Sequence, residues 1–98
     1  MILIEGAVRL PVENLEKARP HMLAMIAASR AEAGCIDYAY AQDLSDPALV
    51  RVVERWVSKA ALEAHFASAH LTAWRAMWPA LGIGARDLRA YEAEPSEV

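Results

Sequence analysis

The order in which apolar residues change their spacing restricts this chain more than any other feature. From Ile2 to Leu10 they fall mainly at alternate positions, with Ile2, Ile4, Val8 and Leu10 on one face and Glu5 and Arg9 on the other, the period of a half-buried β-strand. Pro11 ends this run, and Leu15, Ala18, Met22, Met25, Ile26 and Ser29 recur at helical spacing. Pro20 lacks a backbone donor, so the pattern predicts a short turn near residues 13–18, a main helix starting near Pro20 and a left-handed stop at Gly34. Cys35–Asp43 and Leu49–Val57 read as strands, joined by turn chemistry in Leu44-Ser45-Asp46-Pro47. In the first of these, Ile36, Tyr38 and Tyr40 alternate with Asp37, Ala39 and Ala41. Ser58 and Ser68 are N-cap candidates for two helical segments. The first carries Ala61, Leu62, His65 and Phe66; the second carries Leu71, Trp74, Met77 and Trp78 and ends at Pro79 and Gly82. Residues 85–93, with Leu88 and Tyr91 among charges, read as an edge strand, and 94–98 as a flexible tail.

This order is β-α-β-β-α-β, an α+β ferredoxin-like pattern giving one domain over residues 1–93, a four-stranded antiparallel sheet with both helices on one face. Leu3, Val53 and Val57 oppose Ile2, Ile4, Val8, Val50, Val52 and Trp56, so apolar groups lie on both sides of the central strands. An apolar sheet face left in water is an aggregation site, and an identical face from a second copy closes it; the expectation is a homodimer through sheet faces. A chain that is 56% hydrophobic points the same way. The net charge of −3, with scattered Lys and Arg, gives no footprint for nucleic acid or an anionic membrane surface. Cys35 is the single cysteine, which excludes an intrachain disulfide and a Cys-based zinc cage. With no signal-peptide pattern and no run near the ~20 apolar residues of a membrane helix, a cytoplasmic location is expected.

Three blocks carry a family resemblance: Ser29-Arg30-Ala31-Glu32-Ala33-Gly34-Cys35-Ile36-Asp37-Tyr38, then Glu54-Arg55-Trp56, then Ala61 to Leu71 with its Ala-Leu-x-x-His-x-x-Ser-x-His pattern. Together they resemble the core of the antibiotic biosynthesis monooxygenase (ABM) domains, in the dimeric α/β barrel superfamily. The resemblance implies the fold just described, closed into a barrel by two subunits. It also implies a range of activities: cofactor-free oxygenation of polycyclic phenols, quinol oxygenation, or haem degradation. The haem-degrading branch uses an Asn on the first strand, a Trp on the helix after the third strand and a His one segment later. Here the Ala7 region has no Asn, His65 stands at the Trp position, and Arg75 falls near the expected His. Haem degradation by that mechanism is therefore not carried over.

A cofactor-free oxygenase needs an electron-rich phenol or quinol, an apolar pocket for its ring, a base working near neutral pH and a donor facing the oxyanion. No cofactor or metal enters that scheme, and the partner it expects is a small aromatic molecule. His65 is the first candidate base, and its structural alternative is a tether to backbone or to Glu54. Glu54 is the carboxylate best placed to be partly buried; it orients His65 or joins an interfacial salt bridge. His70 is the second base or a substrate contact, against a role in the helix's first turn. Five residues separate the histidines, about 140° on a continuous helix, which argues against a shared metal. Trp74 and Trp78, on one stripe with Leu71 and Leu81, are core residues or the wall of an aromatic pocket; Phe66 lies beside His65. Tyr38 and Tyr40 share one strand face as paired packing residues or phenolic donors into a pocket, Tyr38 being the candidate of the two, and Arg9 is a cross-strand ion-pair partner or a phenolate ligand. Two further readings stay open: a non-catalytic dimer that binds a small apolar metabolite or serves as a scaffold, and an isomerase of the same superfamily.

Overall fold

The computed structural model describes residues 1–98. Its strands are β1 (Ile2–Arg9), β2 (Cys35–Gln42), β3 (Leu49–Trp56) and β4 (Arg86–Glu92); its helices are α1 (Leu15–Arg30), α2 (Lys59–Phe66) and α3 (Ala69–Leu81). One four-stranded antiparallel sheet runs β2-β3-β1-β4, so the two most apolar strands take the centre. On the helix side Ile2, Ile4, Val8, Val50, Val52 and Trp56 are buried together with Met25, Leu62, Leu71 and Trp74. The opposite face mixes Leu3 and Val53 with Glu5, Arg51 and Arg55, and Val53 is 39% exposed. No helix is long and apolar enough to cross a membrane.

Local chemistry accounts for several boundaries. The Ser58 and Ser68 hydroxyls accept the amide hydrogens of Ala61 and Leu71 at 3.2 and 3.3 Å, capping α2 and α3 as the sequence indicates. Gly82 ends α3 with φ 76°, and Ile83 N–H closes onto the Trp78 carbonyl at 3.0 Å.

Four local expectations need correction. The first helix begins at Leu15, after a single 3-10 turn at Val12–Asn14, and Pro20 lies inside it. Pro20 and Glu16 are both exposed, so the carbonyl that loses its helical partner there faces solvent, which makes the proline tolerable. Pro79 is likewise inside α3, which continues to Leu81. Ile36 does not share a face with Tyr38: a register shift between Cys35 and Asp37 puts it outward, 48% exposed, while Tyr38 is 2% exposed. The arginines of the sheet pair with aspartates, in Arg9–Asp46, Arg51–Asp43 and Arg55–Asp37.

Gly34 is the fourth. It has no positive φ, and α1 has already ended at Arg30. Glycine is required because a Cβ there would overlap the Ala61 methyl of α2 and crowd Val57 Cγ2 at 3.2 Å. Gly34→Ala should therefore cost about 1–3 kcal/mol in urea unfolding, and adding Ala61→Gly should recover part of it. Equal stability of Gly34→Ala and the parent would refute this contact.

Candidate active site

Between the sheet and the helices lies a cavity of about 170 Å³, close to the ~150 Å³ that admits one benzene ring. Its floor is Ile4, Val8, Val50, Val52 and Tyr38 from the sheet; Leu71, Trp74 and Trp78 of α3 form a wall with Met22 of α1. Half-exposed Phe66 and, from β4, Arg86, Leu88 and Arg89 border it on the outer side. Alternation along β3 sends Val50, Val52 and Glu54 to the same side, which is how an acidic side chain reaches an apolar interior.

Glu54 is 5% exposed. Its Oε1 accepts the Trp56 indole N–H at 3.1 Å and lies 3.9 Å from His65 Nε2. Burial pushes its carboxyl up to about 7, against the Trp56 hydrogen bond and the positive charge of Arg75, which pull it down. The group is thus poised to gain or lose a proton near neutral pH.

His65 is 1% exposed and packs its ring on Trp56, with centroids 4.6 Å apart. Its Nδ1 is 2.6 Å from Glu32 Oε2, and the same oxygen is 2.9 Å from His70 Nε2. A carboxylate accepting from both rings fixes the His65 proton on Nδ1 and leaves Nε2 as the acceptor facing Glu54. Burial lowers the His65 pKa, with Glu32 opposing. The residue that orients His65 is therefore Glu32, which its sequence context does not single out.

The two histidines do not share a continuous helix, because the chain leaves helical geometry between Phe66 and Ala69, so their separation is not the 140° expected from spacing. Glu32, His65 and His70 bring three ligand atoms within 4.8 Å of one another, and they are the residues that could hold a cation. In the arrangement seen, hydrogen bonds satisfy all three.

The Tyr38 and Tyr40 hydroxyls are 2.7 Å apart; burial raises both phenols, so they remain neutral donors. Trp74 stacks on Tyr40 with centroids 6.5 Å apart and meets Trp78 edge-on at 6.2 Å. His65, Glu54, Phe66, Trp74, Trp78 and Tyr38 thus converge on one cavity. His70 stands behind it, on Glu32. Arg9 lies outside it, 67% exposed at the side chain and paired with Asp46 at 3.0 Å. Tyr40, on the same strand face as Tyr38, lines the cavity too, and so does Arg75, which the sequence does not mark as a site residue. Cys35 is a free thiol whose pKa burial raises, the opposite of activation.

A split β-α-β sheet with helices on one face and an acid–imidazole pair lining the cavity between them defines an α+β ferredoxin-like domain. The family model for antibiotic biosynthesis monooxygenase matches residues 1–77, and the chain belongs to that family. Among solved structures, a Deinococcus radiodurans protein provisionally assigned as an antibiotic biosynthesis monooxygenase superposes with TM-score 0.93 at 26% identity, covering 100% of this chain and 97% of that one. A Bacteroides thetaiotaomicron protein of unknown function, suggested to be an oxidoreductase, gives TM-score 0.83 at 25% identity over 94% and 96%. A Mycobacterium tuberculosis protein shares the fold at TM-score 0.86 and 22% identity over 99% and 98%. No functionally curated protein matches the chain.

A carboxyl that holds its proton more tightly folded than unfolded stabilises the fold fully below its ordinary value of 4.5. That contribution fades as pH rises toward 7. Glu54→Gln should remove this slope, so that the variant loses about 2–3 kcal/mol less than the parent between pH 4.5 and pH 8 in urea unfolding. Parallel stability profiles for the two proteins would contradict the assignment.

Proposed function

We propose that this protein is a cofactor-independent monooxygenase of a small phenol or quinol. The observation that carries the proposal is a carboxyl with a pKa near 7 at the floor of a one-ring apolar cavity. Glu54 removes the phenolic proton, and the resulting phenolate is electron-rich enough to reduce dioxygen. His65, fixed by Glu32, presents Nε2 to Glu54 and passes on the proton. For a simple phenol the balance closes without another reductant. One oxygen atom enters the ring, the other leaves as water with two substrate hydrogens, and a quinone results.

Membership in the ABM family supports a monooxygenase-like role. The aromatic walls of Trp74, Trp78 and Phe66 favour a planar ring. Pairing of the uncovered sheet faces of two copies would bury Leu3 and Val53. One observation favours a second reading: an acid and an imidazole 3.9 Å apart also suit proton transfer without oxygen, as in an isomerase.

Oxygen uptake with a panel of hydroquinones and naphthols separates the two. Turnover is expected with at least one of them, reduced about a hundredfold or more in Glu54→Gln and lowered in His65→Ala. No uptake with any member of the panel would remove the oxygenase reading.

A further inference from the structure

The arginines of this chain fall into two groups. Arg9, Arg19, Arg30, Arg51, Arg55 and Arg89 each have a carboxylate within 4.0 Å. Arg75 and Arg86 have none, and both line the cavity. Arg75 Nε is buried without an acceptor, and so is the neighbouring Trp78 Nε1. Burial and the like charge of Arg86 both work against the Arg75 cation, lowering its pKa. A buried guanidinium N–H and a buried indole N–H that both lack an acceptor, with the exposed Arg86 guanidinium at the same cavity's outer side and free of any carboxylate, are what a protein shows when the missing partner is a ligand anion.

The register sets where that anion sits. Glu54 is level with Ile4 and Ala90, and Arg86 is level with Val8 and Val50 on the same side of the sheet. Acid and cation are thus four residues apart along the strands, roughly 13 Å, and two strands apart, roughly 10 Å. Their side chains approach the cavity from opposite ends, leaving room for one ring between them.

Resting on the oxygenase reading of this same cavity, we propose that its ligand is a single-ring phenol or quinol bearing a carboxylate. The carboxylate binds Arg75, Arg86 and the Trp78 N–H, and the hydroxyl points to Glu54. Planar guanidinium and planar carboxylate match as paired hydrogen-bond donors and acceptors, and the anion supplies the acceptor that both buried N–H groups lack. An anion at this end also directs the phenolic oxygen to the base, so the Arg pair sets orientation as well as affinity.

Calorimetric titration of the native protein at pH 7 with 3- and 4-hydroxybenzoate, 4-hydroxybenzyl alcohol and phenol tests this without requiring turnover. One of the hydroxybenzoates is expected to bind at least about tenfold more tightly than the neutral alcohol, with an affinity that falls as salt is added. Arg75→Gln should abolish that advantage and Arg86→Gln reduce it severalfold, each leaving phenol binding in place; Arg9→Gln should change nothing. If Arg75→Gln fails to fold, Arg86→Gln and the ligand series on the native chain decide alone. Phenol and the alcohol binding as tightly as both acids would overturn the anion subsite while leaving the ring cavity standing. No binding by any of the four would overturn both.

Discussion

A carboxyl group held out of water is the constraint around which this molecule is arranged. Glu54 occupies an inward position on a central strand where its neighbours in the alternation are valines and a tryptophan. The surroundings compensate it incompletely. One indole N–H reaches it, an imidazole nitrogen stays at 3.9 Å, and no cation pairs with it directly. Incomplete compensation is what moves the proton equilibrium toward neutrality. A fully paired glutamate would be a better structural element and a poorer base.

The rest of the site follows from fixing that environment. Glu32, on the turn after α1, ties His65 of α2 to His70 of α3 across the break between the two helices. That single carboxylate sets the His65 tautomer and links the two helices. Gly34, two residues on, lets α2 approach closely enough for the contact to form. Glu32 and Gly34 are near neighbours in the chain, and in the fold they act together to bring His65 down onto Trp56 and beside Glu54.

Much of the architecture is legible in the sequence because local chemistry dictates it. The serine caps, the left-handed Gly82 and the two-residue period of β1 and β3 act within a few positions of themselves. What escapes the sequence depends on partners far along the chain. Gly34 looks like a helix stop until Ala61 is beside it, and Pro20 looks like a helix start until its exposure is known. His65, Glu54 and Trp74 can be nominated from residue type. Glu32 cannot, since its partner lies 33 residues away. Arg75 is conspicuous only because the ion pairs of the folded chain leave it and Arg86 without a carboxylate, and spacing alone holds no such signal.

The central claim, a carboxyl poised near neutral pH inside an apolar cavity, is measured most directly by carbon-13 NMR titration of the glutamate side-chain carboxyl signals. One resonance should titrate near pH 7, well above the others, and disappear in Glu54→Gln. A spectrum in which every glutamate titrates in the ordinary range near 4.5 would contradict the account.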